Sequence, residues 1–178
     1  GYIKRVPLDS YRAQRRGGKG KAGMKTRDED FVTRLFIANT HTPILFCTSA
    51  GIVHQLKCFK LPVTYPTSMG KALINLLRIS TDENIQSIMP MPNEKEKWES
   101  LSVGFATSSG SVRRNKLSDF TNIRSNGKIA MKLGPTDRLI GVAPCNDESD
   151  IMLASNKGKA IRFATKDWRE FSGLGSAG

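Results

Sequence analysis

The sequence predicts an all-β fold: small antiparallel sheets set one after another like the blades of a propeller. Two observations carry that reading. A glycine-anchored hairpin pattern returns along the chain at spacings of 50, 59 and 48 residues, and helical periodicity is nearly missing. Charge adds a third: 28 Lys and Arg against 16 Asp and Glu leave +12 on 178 residues, which points to a polyanionic partner.

Each element follows in chain order. GYIKRVPLDSY (1–11) reads as the second half of a hairpin, with Gly1 as anchor, Ile3 two residues on and bulky Tyr11 ten residues on. AQRRGGKGKAG (13–23) sets two arginines and two lysines among four glycines. ILFCTSAGIVHQLKCFKL (44–61) is a complete hairpin. Ile44 and Phe46 alternate along its first strand, Thr48 opens the turn, Gly51 takes the position that demands positive φ, Val53 resumes the alternation and Leu61 closes it. KALINLLRI (71–79) is an extended apolar segment, and NEKEKWESL (93–101) reads as an exposed insertion with a single helical turn. VGFATSSGSVRRNKLSDF (103–120) repeats the hairpin around Gly110, KIAMKLG (128–134) repeats the extended segment, and IMLASNKGKAIRFATKDW (151–168) repeats the hairpin around Gly158. The units run at about 1–43, 44–102, 103–150 and 151–178, roughly three and a half copies.

A second glycine repeats in register. Gly18, Gly127 and Gly175 lie 17 residues beyond their anchors and Gly70 lies 19 beyond, with Lys19, Lys71 and Lys128 directly after three of them. The glycine-lysine stretch at 13–23 is therefore one enriched copy of a recurrent loop. A flexible linker would not recur in register. Permissive backbone that lets N–H groups approach an anion, with cations supplying the field, suits the pattern better.

Composition narrows the function classes. No apolar run approaches a membrane span, and no signal-peptide pattern opens the chain, whose first residue is Gly1, as expected of a cut or excised N-terminus. Cys47, Cys58 and Cys145 show no CxxC spacing, which fits a reducing compartment, and His41 and His54 form no metal-ligand cluster, so no metal is expected. Residues 1–60 hold 12 basic and 4 acidic side chains, 61–120 hold 7 and 6, and 121–178 hold 9 and 6. With no basic amphipathic helix to favour a membrane surface, nucleic acid leads.

QRRGGKG, from Gln14 through Arg15, Arg16, Gly17, Gly18 and Lys19 to Gly20, directly after a hairpin strand, resembles the A-box heptapeptide of the DNA gyrase A C-terminal domain family. The match to the box is complete, and the hairpins resemble the family's T-x-x-G-x-V-x-R pattern over the whole chain. The resemblance implies a β-pinwheel, a six-bladed relative of the propeller whose neighbouring blades exchange strands, with duplex DNA wrapped around a basic rim and the box needed for negative supercoiling. It implies as partners DNA, the rest of the gyrase A protein and the gyrase B protein. ATP and Mg²⁺ are then used elsewhere in that assembly, no cofactor is held by this stretch, and the location is the bacterial cytoplasm, at the nucleoid. About three and a half blades of six are expected here, as in a fragment.

Wrapping without sequence readout needs phosphate contacts spread over an arc. Basic residues recurring once per unit supply them: Lys4 and Arg5, then Lys57 and Lys60, then Arg113, Arg114 and Lys116, then Lys159 and Arg162 after the hairpin glycines. Around the second loop stand Arg15, Arg16, Lys19 and Lys21, then Lys71 and Arg78, then Arg124, Lys128 and Lys132. Arg5, Arg114 and Arg162 share strand parity with the apolar Ile3, Val112 and Ala160, so reaching the rim requires either a bulge or snorkelling.

The alternatives are the related C-terminal domain of the topoisomerase IV A protein, in which the box is usually degraded, and a generic propeller that binds proteins through an apolar, aromatic surface. A small enzyme is disfavoured, because no Ser or Cys pairs with His in matching loops and the tyrosines lack a carboxylate cluster. Tyr2 and Tyr11 are expected to pack.

Overall fold

In the computed structural model, residues 1–11, 16–20 and 22–178 are described. The elements are β1 (Tyr2–Ile3), β2 (Pro43–Thr48), β3 (Ile52–Lys57), β4 (Lys71–Ala72), β5 (Ile85–Pro90), the helical turn α1 (Lys97–Ser100), β6 (Ser102–Thr107), β7 (Val112–Lys116), β8 (Lys128–Ile129), β9 (Leu139–Cys145), β10 (Asp150–Ala154) and β11 (Ala160–Ala164). Three hairpins, β2–β3, β6–β7 and β10–β11, sit where the repeats place them, and α1 falls in the expected insertion.

The turns are copies of one another. The N–H groups of Gly51, Gly110 and Gly158 donate to the carbonyls of Thr48, Thr107 and Ser155 at 3.1, 3.0 and 3.1 Å, and the three glycines have φ of 76°, 92° and 75°. A side chain at that φ strains the backbone, which explains the anchor. Seven residues beyond each anchor begins a 3₁₀ turn, at Leu8, Cys58, Leu117 and Thr165, an element with no periodicity long enough to read in sequence.

Pairing departs from chain order. β4 follows the hairpin β2–β3 but pairs with β1 of the preceding unit, Ile3 opposite Lys71; β8 follows β6–β7 but pairs with β3, Val53 opposite Lys128. The sheets therefore run β1-β4, β5-β2-β3-β8, β7-β6-β9 and β10-β11. The second and third units each lend a strand backwards, so a sheet and a sequence repeat are offset from one another.

The core sits between sheets. Alternate residues of β2 feed two different clusters: Ile44 and Phe46 join Ile3, Cys58, Leu61 and Leu73 on one side, while Leu45 and Cys47 join Val53, Phe105, Phe120, Met131 and Leu139 on the other. Period-2 alternation here separates two cores, not core from solvent, so both parities are apolar. Burying each large side chain stabilises by roughly 1.5–3 kcal/mol. The bulky residue ten beyond each glycine fills the preceding unit's side: Leu61 lies with Ile3, Phe120 with Val53, and the Trp168 ring lies where a Cβ on Gly104 would come within 2.8 Å. Tyr11, the first of that series, has no preceding unit within this chain and stays exposed, as does Tyr2; the expected packing of both is corrected. Tyr2 instead lies beneath Arg27, whose guanidinium carbon is 5.9 Å from the ring centroid.

Candidate nucleic-acid interface

The predicted basic residues separate into two groups. The third residue after each hairpin glycine is Lys4, His54, Arg113 or Ile161, and the fourth is Arg5, Gln55, Arg114 or Arg162. In the first three units both positions face the next unit. Arg5 donates from Nε to the Leu61 carbonyl at 3.0 Å, Gln55 from Nε2 to that of Phe120 at 3.2 Å, and Arg114 from Nη1 to that of Thr165 at 2.6 Å. Arg114 also pairs with Asp147 at 3.0 Å and Glu170 at 3.7 Å. Short parallel bridges, Arg5 with Val63 and Arg114 with Glu170, join the same strands to the same segments.

Arg113 is 1% exposed. It donates to Asn115 Oδ1 at 2.6 Å, to the Ser176 carbonyl at 2.8 Å and to that of Gly173, and its guanidinium carbon lies 4.6 Å from the Phe171 ring centroid. Burial pulls its pKa down, with Asp119 opposing the shift. Lys4 donates from Nζ to the carbonyls of Tyr65, Pro66 and Ser68, and burial lowers its pKa as well.

These contacts correct the sequence reading. Arg113 and Arg114 are buried and held by protein acceptors, although the Arg114 Nε itself has no partner, so neither guanidinium is exposed to a phosphate; Lys4 and Arg5 are spent on the loop and turn of the next unit. Neither a bulge nor snorkelling resolves the parity of Arg5 and Arg114. Their apolar-side placement is the signal: a cation there reaches a neighbouring blade's carbonyls, which lie at the same depth. Arg162, in the last unit, has no following blade in this chain and pairs with Asp150 across its own hairpin, Nε to Oδ2 at 2.9 Å. Lys128 is half-buried, and its Nζ donates to the Asp119 carbonyl at 2.8 Å.

The second group is exposed: Lys57, Lys60, Lys71, Arg78, Lys116 and Lys159. Lys57 and Lys116 are equivalent, each the last strand residue before its 3₁₀ turn. Within the box, Arg16 and Lys19 are exposed, while Gln14 and Arg15, like Lys21, lie outside the described residues. The left-handed glycine of this loop is Gly17, at φ 79°, one residue before the Gly18 that the sequence register aligns with Gly127 and Gly175; the left-handed glycines of the other copies are Gly70, Gly127 and Gly175, at 88°, 84° and 89°. A Cβ on Gly70 would meet the Ile3 carbonyl oxygen at 2.5 Å, whereas the space over Gly17 and Gly20 is open. The box copy of the loop thus sets the exposed Arg16 and Lys19 beside two glycines, Gly17 and Gly20, over which no atom packs.

Residues 1–39, 42–90, 105–146 and 149–167 match the sequence profile of the family described as "DNA gyrase C-terminal domain, beta-propeller". The DNA gyrase A protein of Rickettsia bellii is 49% identical over 169 residues, 95% of this chain and 19% of that protein, so the chain spans about a fifth of this curated relative. Among solved structures, the C-terminal domain of DNA topoisomerase IV superposes with a TM-score of 0.84 at 23% identity, over 99% of this chain and 52% of that one. A DNA gyrase A C-terminal domain superposes with a TM-score of 0.64 at 20% identity, over 100% and 56%. At such identities the two superpositions speak to the fold alone, which is the propeller-like pinwheel of strand-exchanging blades. The family follows from the sequence match: this chain belongs to the DNA gyrase C-terminal domain family.

Proposed function

We propose that this chain binds double-stranded DNA without reading its sequence and wraps it along a basic edge, and that the complete protein uses this wrapping for negative supercoiling. The rest of the gyrase A protein and the gyrase B protein are its partners, with ATP and Mg²⁺ consumed elsewhere in that assembly, in the bacterial cytoplasm at the nucleoid. No catalytic step is assigned to this chain. One observation carries the reading: exposed cations recur from unit to unit, Lys57 and Lys116 at equivalent positions and Lys19 and Lys71 in equivalent loops. Bending a duplex by 40–90° over a short site costs on the order of 1–6 kcal/mol, so spaced contacts must act together. The buried clasp cations hold the blades that space them.

The test uses the complete protein. If six or more phosphates are neutralised, short-duplex affinity falls by roughly 10³ or more between 50 and 200 mM salt, irrespective of sequence. Alanine at Arg15, Arg16 and Lys19 abolishes supercoiling, while alanine at Lys95, Lys97 and Arg138 leaves it, with duplex binding modestly weaker in both. A shallow salt slope, or equal loss of supercoiling in the two variants, overturns the reading.

A further inference from the structure

We propose that Tyr65 is a non-ionic DNA contact whose ring enters the minor groove between gripped phosphates, and that Lys4 is the positioning residue that holds it in place. The inference rests on the wrapping reading above.

Tyr65 stands in the second unit's copy of the loop that carries the box in the first. Unlike Leu61, which precedes it and is buried, Tyr65 is 82% exposed. An exposed ring on a loose loop would mean little. This loop is pinned. The Lys4 ammonium, directly after the preceding unit's strand β1, donates to three acceptors around the crest: the carbonyls of Tyr65 at 3.1 Å, of Pro66, and of Ser68 at 2.8 Å. The Ser68 N–H closes a turn on the Tyr65 carbonyl at 3.0 Å, and Pro66 fixes its own φ within that turn. At the far end Gly70 lies against the Ile3 carbonyl, so close that a Cβ would sit 2.5 Å from its oxygen. Lys4 and Gly70 thus seat both ends of the crest on one strand, and Lys60 and Lys71, both exposed, flank it in sequence.

A rigid aromatic side chain with two torsions loses little entropy on binding. On a wrapped duplex the minor groove faces the protein about every 10 base pairs, and apolar side chains entering it wedge base steps apart and favour bending. Cations gripping phosphates on either side would aim Tyr65 at that groove. Spending a partly buried ammonium on backbone carbonyls is costly for surface decoration, but it suits a loop that must not yield under a bent helix.

The experiment compares Y65A, Y65F, K4M and K4R in the complete protein, measuring duplex affinity against salt, bending by energy transfer between duplex ends, and amide exchange across residues 65–70. Removing a stacked aromatic should weaken binding roughly tenfold at every salt concentration, with a smaller bend and an unchanged slope, because no phosphate contact is lost. Y65F should match the parent. K4M should reproduce the Y65A loss and speed amide exchange at 65–70 in the free protein, and K4R should restore both. Affinity of Y65A within twofold of the parent overturns the contact. A shallower salt slope in K4M marks Lys4 as a phosphate ligand and overturns its positioning role. A parent protein that does not bind duplex overturns the wrapping reading, and this inference with it.

Discussion

Gly51 and Gly110 occupy the same turn, yet their surroundings differ. A Cβ on Gly51 would lie 2.5 Å from the Met131 carbonyl oxygen, because the following unit's backbone crosses that hairpin; at Gly110 the space is open. Gly110→Ala therefore meets only the φ penalty, on the order of 1–2 kcal/mol. Gly51→Ala adds a backbone clash and should cost at least about 1 kcal/mol more. Urea unfolding of the two variants checks this, and equal midpoints would contradict it. The requirement for glycine was readable in the sequence from the repeat; the difference between the two sites was not, since it depends on which backbone passes overhead. The same limit explains Arg113 and Arg114. Their spacing from the anchor marked them as recurrent, but recurrence alone does not distinguish a cation facing DNA from one facing the next blade's carbonyls.

Side chains of β3 and β7 that clasp the next unit give these strands, each following a hairpin turn, a second task. β7 pairs with β6 on one edge and, through Arg113 and Arg114, binds the segment 165–177 on the other. Arg113→Met would leave the Gly173 and Ser176 carbonyls and Asn115 Oδ1 without that donor, at a cost of roughly 2–3 kcal/mol. Lys116→Met, three residues along and exposed, should stay within about 0.5 kcal/mol. Denaturant midpoints decide between them. The sequence foretold these hairpins because a period of two and a fixed turn are local properties. It did not foretell the 3₁₀ turns, which are three or four residues long, nor the partner of β8, since a two-residue strand carries no register of its own.

Across the molecule, borrowed strands couple sheets that would otherwise meet only through side chains. Phe105 is buried in the hairpin β6–β7, and Phe105→Ala should cost about 3–5 kcal/mol. Because β8 leaves that unit to complete the sheet of β3, the damage should spread backwards: amide exchange ought to accelerate in β3 as well as in β6, β7 and β9. Unchanged protection in β3 would show that the sheets open independently. The charge pattern could be read at this level from composition, but the sorting of cations into clasp and rim required the fold.

Strand lending also sets a schedule for synthesis. The edge of β3 at Val53 is closed by Lys128, 75 residues later in the chain. At ribosomal rates of about 5–20 residues per second, the wait is roughly 4–15 s, far longer than a hairpin needs to form. The first two blades therefore leave the ribosome with one edge unfinished, at β1 and at β3, and are sealed only when β4 and β8 emerge. In that interval the nascent chain carries an open strand, and its protection passes to whatever meets the emerging polypeptide first.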